Sequence, residues 1–295
     1  MPSPLGSQFR DKFIPIDNDP APRYAIHRLR NMYVATKELL PAEHEAGMNW
    51  YGNVHDAIRK SGLGVHRGSG VVAAVSPNMD FETNNIQALS DIQNLEPRHW
   101  DMINAAAGEK KRPQEVTDML REVAPSLAHA PARGVINAGR IMAGEDYDEV
   151  LNRRTAPKTN SFAHNLEHPN RRGFTTIDGR EADIVVDAMR PWGSPKNKEG
   201  KYPEGTPSPN RGISSAATKT GKTTRYEQYS GYHEALSHEL GILPHQLQAV
   251  AWLGGKQAER GFDPARKKGD PRRGQSYVHR TDTRLGHFTL GLGPA

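Results

Sequence analysis

The sequence predicts an all-α protein, and three observations support that fold class. Apolar residues recur at helical spacing, most clearly over 182–189, where they fall at i, i+3, i+4 and i+7. Predicted helices end at small or helix-breaking residues, as at Ser61-Gly62. The apolar run 71–75 is short enough to be a strand. Because Ser76-Pro77 follows it, a buried helix is the better interpretation.

The elements follow from these signals in chain order. The first helix is predicted from Arg23 because the apolar residues at 26, 29, 33 and 40 share one face, and the second runs from Ala42 to Lys60. Apolar periodicity places further helices over 71–75, 80–93, 97–107, 112–122, 131–143, 158–166, 179–189, 229–240 and beyond Pro244. Together they predict one helical core domain over 23–255.

Three segments are predicted to lie outside that core. Residues 1–22 are proline-rich without periodicity and form an N-terminal arm, and 190–220 is a long Pro/Gly-rich loop. Residues 256–295 form a basic tail, because nine Lys or Arg stand against four Asp or Glu between 256 and 284. The tail is expected to add non-specific affinity for DNA.

Composition narrows the function classes. The formal net charge is +5 and the isoelectric point is near 9.3, which permits nucleic acid as a partner without requiring it. The chain has no cysteine, which excludes disulfides, cysteine zinc sites and cysteine-ligated clusters. No apolar stretch reaches signal-peptide or membrane-span length, so a cytoplasmic protein is expected.

Three local motifs carry little weight. Residues 216–223 match only a loose phosphate-binding loop, since Ala216 replaces its first glycine and no buried strand precedes it. His233 and His238 are spaced i, i+5, which turns the second away from a shared zinc ion. Trp50, next to Tyr51, is either a stacking platform for a base or a core residue, and core is favoured. No metal or cofactor is predicted.

Larger segments carry a family pattern. They are Val71–Asp80 with Asn84-Asn85, then 132–141, then 151–166 with 175–184. In this order they resemble the helix-hairpin-helix DNA glycosylases, the group that contains endonuclease III. The resemblance covers roughly residues 65–190. It implies a helix-hairpin-helix core and DNA as the partner, and it leaves the oligomeric state open.

The resemblance also implies roles for particular residues. Lys158 falls on the lysine of the bifunctional members, and Asp178 falls on their catalytic aspartate. The remaining matched positions would contact the substrate, and they are Ser76, Asn78, Asn84, Arg153, Arg154 and Arg180.

The hairpin departs from the family pattern. The family hairpin contains glycines whose amides approach a phosphate, whereas 153–157 holds two arginines and no glycine. Side-chain contacts from Arg153 and Arg154 could substitute for those amides.

The implied chemistry starts from the amine of Lys158. Burial and the positive end of a helix would both favour a neutral amine, which can attack C1′ of a deoxynucleotide and form a Schiff base. Asp178 would activate the nucleophile or stabilise the positive charge on the sugar. Without the family chemistry, Asp178 is expected to cap the helix that follows it.

Two classes of function therefore stay open. The first is an enzyme acting on DNA bases, either a glycosylase/lyase or a base-modifying transferase. The base-modifying transfer is suggested by similarity to divergent phage and actinobacterial members, among them phage proteins proposed to build hypermodified thymines. The other class of function is a non-catalytic DNA-binding or interaction protein on the same scaffold.

Overall fold

A computed structural model describes residues 22–77, 84–109, 112–186 and 225–258 of the chain. All regular structure in these ranges is helical, so the all-α class is confirmed for the described part of the chain. The predicted loop 190–220 and almost all of the predicted arm and tail lie outside the described residues, as does the loose phosphate-binding motif at 216–223.

The helices follow the predicted order closely. They are α1 (Pro22–Leu39), α2 (Pro41–Lys60), α3 (Val65–Val75), α4 (Asn84–Asn94), α5 (Pro97–Ala105), α6 (Gln114–Val123), α7 (Pro125–Ala128), α8 (Ala132–Met142), α9 (Tyr147–Val150), α10 (Pro157–Glu167), α11 (Gly179–Val186), α12 (Arg225–Leu240) and α13 (Pro244–Ala258). A short 3-10 turn, Ala106–Gly108, follows α5.

Most differences from the prediction are at helix ends. The buried run 71–75 is helical, as expected, and forms the last part of α3. The one-turn helices α7 and α9 were not predicted, because four residues are too few to show a period. Helix α13 continues to Ala258, so residues 256–258 of the predicted tail are helical.

The core domain predicted over 23–255 divides by its internal contacts into two compact units. Unit 1 comprises residues 1–49 and 177–295, and its described part contains α1, the start of α2, and α11, α12 and α13. Its core is aromatic and aliphatic, built from Leu29 and Met32 of α1 against Tyr229, Leu236 and Val250.

Unit 2 comprises residues 50–176 and is organised around α3. Every residue of α3 from Gly68 to Val75 is buried, and the helix packs against α8 and α10. The approach to α8 is close: a Cβ added at Gly134 would stand 2.5 Å from the carbonyl oxygen of Ala74. This central helix supports α9 and α10, and the turn between those two helices carries Arg153 and Arg154.

Candidate functional site

In unit 2, the turn between α9 and α10 is organised by Asn152. Its side-chain Oδ1 accepts the backbone N–H of Arg154 at 2.9 Å. Its carbonyl accepts the N–H groups of Thr155 and Ala156 at 3.0 and 2.8 Å. Three consecutive amides of the turn are therefore already used within the turn. A phosphate at this turn would be held by the exposed side chains of Arg153 and Arg154, as the missing glycines suggested.

Lys158 is the second residue of α10 and is half-buried. Pro157 occupies the first helical position, where its missing N–H costs nothing. The N-cap residue, Ala156, provides no side-chain hydrogen bond to the helix start. The partial positive charge of this helix end is therefore not offset by a capping side chain.

A chain of hydrogen bonds links α9 to α10 beside this turn. The Tyr147 hydroxyl donates to Glu167 Oε2 at 2.5 Å and lies 3.1 Å from His164 Nδ1. His164 Nε2 lies 2.8 Å from Asp148 Oδ1, which also accepts from the Asn160 amide at 2.7 Å. Sequence reasoning missed this network, although the i, i+3 spacing of His164 and Glu167 places both on one helix face.

The same network reaches the turn through an aromatic ring. His164 stacks on Phe174 with ring centroids 4.0 Å apart, and the Arg153 guanidinium lies 5.1 Å from the centre of the Phe174 ring. At the other end of the network, His66 Nδ1 of α3 lies 3.1 Å from Glu167 Oε1. The arginine turn is thus attached to a fixed polar and aromatic support rather than standing alone in solvent.

The other predicted contacts of unit 2 have structural positions. Trp50 is 9% exposed and packs against Phe162 and Tyr51, as the core interpretation expects. Ser76 ends α3, and its hydroxyl donates to the Ala73 carbonyl at 2.9 Å. Asn84 is the first residue of α4, and Asn78 lies outside the described residues. Contact of these residues with a substrate stays a prediction.

In unit 1, Asp178 caps α11. Its Oδ1 accepts the backbone N–H groups of Arg180 at 2.9 Å and Glu181 at 3.1 Å, which is the N-cap arrangement. Its Oδ2 accepts the indole N–H of Trp252 at 3.1 Å. Both carboxylate oxygens are therefore held by N–H donors, and the side chain is fixed in orientation while staying half-buried.

Trp252 connects this carboxylate to two cations. The Arg180 guanidinium lies 4.9 Å and the Lys256 amine 5.5 Å from the centre of its indole ring, both within cation–π range. Arg180 is only 8% exposed, and its contact with substrate stays a prediction. Neither Trp252 nor Lys256 was predicted as a site residue, because they lie more than seventy residues from Asp178 along the chain.

Behind the cap, Glu181 and His233 form a second feature that sequence reasoning missed. Both side chains are fully buried, with His233 Nε2 2.9 Å from Glu181 Oε2. Burial is the main cause that raises the pKa of Glu181, to about 7. The sequence offers His233 only as a zinc ligand with unsuitable spacing, whereas in the structure its partner is the Glu181 carboxyl group.

The described ranges contain neither a candidate metal site nor a candidate membrane span. Residues 22–77, 84–109, 112–186 and 225–258 contain no group of three or more His, Cys, Asp or Glu that could hold a metal ion. Among the helices that the structure describes, none combines the length and apolar character needed to cross a membrane.

Comparison with known proteins gives one match. A family model described as a family of unknown function, DUF7178, matches residues 23–198, which is more than half of the chain. No curated protein and no solved structure matches significantly. The matched range holds all the predicted site residues, from Trp50 to Arg180. The chain therefore belongs to the DUF7178 family.

Proposed function

We propose that this protein binds DNA and acts on a DNA base, by glycosidic cleavage or by transfer onto a modified thymine. The observation that carries the proposal is the element formed by α9, its turn and α10. Its turn exposes Arg153 and Arg154, and Lys158 stands one residue inside the helix that follows. This combines phosphate-binding cations with a candidate amine nucleophile.

The turn favours contact with the phosphate backbone. Because Asn152 occupies three of the turn amides, the arginine side chains are the groups able to reach a phosphate. Arg171 is exposed on the loop that leads to Phe174, and the Phe174 ring lies against Arg153. Contacts of this kind position a protein on DNA without reading its sequence.

Lys158 would supply the covalent step. Its neutral amine attacks C1′ of the deoxynucleotide, the glycosidic bond breaks, and the base leaves with the bond's electron pair and takes up one proton that the amine loses. Opening of the sugar ring then gives a Schiff base between Lys158 and C1′, and the second amine proton passes to the ring oxygen O4′. An enzyme of this class must first extrude the base from the duplex.

The geometry at Asp178 favours an electrostatic role over a basic one. Three N–H groups donate to its two oxygens, so the carboxylate is held as an acceptor. A fixed negative charge of this kind stabilises a developing oxocarbenium ion on the sugar better than it removes a proton. Of the two roles predicted for Asp178, charge stabilisation is therefore the one we adopt.

The second candidate is a DNA-binding protein without chemistry. The observation that favours it is the same set of hydrogen bonds, because capping α11 and holding Trp252 already give Asp178 a structural purpose. The two candidates agree on the arginine turn and differ on Lys158. Lys158 is therefore the residue to test.

Borohydride trapping separates the candidates. The full chain is incubated with DNA duplexes carrying abasic, damaged or hypermodified nucleotides, and borohydride reduces any Schiff base to a stable amine. We expect an adduct that Lys158→Gln abolishes and that Lys60→Gln, an exposed control, leaves unchanged. DNA binding without an adduct on any substrate would support the non-catalytic candidate, and loss of DNA binding altogether would overturn both. Mass spectrometry of nucleosides from DNA made with and without the protein identifies the base.

A further inference from the structure

The interior of unit 1 contains an acid and a base that no part of the proposed reaction uses. Glu181 of α11 and His233 of α12 are fifty-two residues apart in sequence, and both side chains are 0% exposed. Buried carboxyl groups are rare unless they are paired and hydrogen-bonded. The protonation state of this pair therefore matters for the stability of unit 1.

The hydrogen bonds fix that count. His233 Nδ1 lies 2.9 Å from the carbonyl oxygen of Tyr229, which can only accept, so Nδ1 carries a proton. His233 Nε2 lies 2.9 Å from Glu181 Oε2, and two lone pairs cannot face each other at that distance. One further proton must lie between them. Glu181 Oε1 has no hydrogen-bond partner among the described residues, so no contact of the pair indicates a second shared proton.

The surroundings favour placing that proton on the carboxyl group. A neutral acid facing a neutral imidazole leaves Oε1 as a carbonyl-like oxygen, whereas an ion pair would leave a charged oxygen buried without a donor. The titratable groups that act on Glu181 are His233 from α12, and Asp178 and Arg180 from the start of its own helix. Burial raises the pKa of Glu181, as does Asp178, while His233 and Arg180 lower it. Helix α13 adds buried His245, and also Trp252 with its N–H on Asp178.

We infer that Glu181 and His233 form a one-proton site that makes the start of α11 sensitive to pH. In mildly acidic solution the pair is uncharged. When the proton is released, a carboxylate is left inside unit 1 and the hydrogen bond between Glu181 and His233 Nε2 is lost. The backbone N–H of Glu181 donates to Asp178 Oδ1, so the new charge is on the residue that helps to hold the Asp178 carboxylate.

The sign of the effect on stability follows from proton linkage. The pKa of Glu181 is about 7 in the folded protein against a reference value of 4.5, so the folded state holds the proton more tightly. The contribution of Glu181 to the free energy of unfolding therefore falls as the pH rises from about 4.5 to about 7, and it is level above that.

Glu181→Gln tests the site, because its amide can donate to His233 Nε2 and cannot lose a proton. Unfolding by denaturant is measured across the pH range for the full chain, for this variant and for Glu38→Gln, an exposed control in the same unit. We expect the stability of Glu181→Gln relative to the wild type to rise with pH, with a limiting slope of one proton, and to level off above pH 7. The control should show no such difference. Parallel curves for wild type and Glu181→Gln would overturn the inference.

A measurement on the wild-type chain keeps the inference testable if the variant does not fold. Nuclear magnetic resonance of labelled histidine and glutamate reports the protonation of each group directly, with His233 assigned through His233→Gln. We expect a neutral His233 protonated on Nδ1 and a protonated Glu181 carboxyl group at pH 6. An imidazolium with an ionised Glu181 at that pH would overturn it. Neither experiment requires DNA or turnover, so failure here is distinct from failure of the proposed function.

Discussion

Two helix beginnings, one in each unit, present opposite electrostatic situations. Helix α11 starts behind Asp178, an anion that accepts N–H groups from the helix end and from Trp252. Helix α10 starts behind Ala156, which offers no side-chain acceptor, and the ionisable residue of its first turn is the cation Lys158. A helix N-terminus favours an anion and opposes a cation. At α11 the helix end and its capping side chain are therefore electrostatically matched, whereas at α10 no side chain offsets the partial positive charge of the helix end.

The largest expected effect concerns the anion. If Asp178 stabilises charge on the sugar, Asp178→Asn should lower turnover by on the order of 10²–10³ while DNA affinity is retained. Single-turnover kinetics on the substrate identified by trapping measures the loss. Full activity per folded molecule would reduce Asp178 to a helix cap and leave the comparison purely structural.

Stability should also respond at Asp178, through Trp252. Asparagine has one oxygen, so it cannot accept from both the helix amides and the indole N–H, and a donor left unsatisfied costs about 1–3 kcal/mol. We expect Asp178→Asn to lose about that much by chemical denaturation, and to lose less in a Trp252→Phe background, where the indole N–H is absent. An additive double-mutant cycle would mean that the two side chains are not coupled.

The start of α10 should respond less strongly. Asn152→Ala removes the side-chain acceptor for the Arg154 amide and should cost about 1 kcal/mol, as loss of a capping side chain does. Asn170→Ala, at an exposed loop position, is the control. Thermal unfolding of both variants makes the comparison, and equal melting temperatures would show that Asn152 does not organise the turn.

The smallest effect is on binding at the exposed turn. Arg153→Gln and Arg154→Gln should each reduce the slope of log affinity against log salt by about 0.9, the value for one phosphate contact on duplex DNA. Arg98→Gln, on the exposed face of α5, should leave the slope unchanged. Titrations at several salt concentrations measure it. An unaltered slope in both turn variants would remove the arginine turn from the DNA interface.

Helix positions were largely predictable because they depend on local periodicity. The stripe around Leu29, the stop at Ser61-Gly62 and the cap at Asp178 each involve residues within one or two turns of each other. Even the short run 71–75 was assigned correctly, since Ser76-Pro77 marked its end.

The polar contacts were not predictable in the same way. The contacts of Glu181 with His233 and of Trp252 with Asp178 join residues far apart in sequence, and no spacing rule relates them. The His164 network combines neighbours on α10 with residues of α9, a helix too short to be predicted. The expected substrate contact of Arg180 comes from its place in a family pattern, and such a pattern does not report that the side chain is buried.

The glycines around α3 have a consequence for how unit 2 opens. A Cβ added at Gly68 or Gly70 would stand 2.5 Å from Ile58 Cγ2 or 2.6 Å from Tyr147 Cβ, and Gly134 meets the Ala74 carbonyl in the same way. With side chains and backbone packed this closely against α3, we expect water to reach the amides of 71–75 only when whole helices separate. We therefore expect these amides to be the slowest in unit 2 to exchange their hydrogens for deuterium, and to do so together, as one cooperative event.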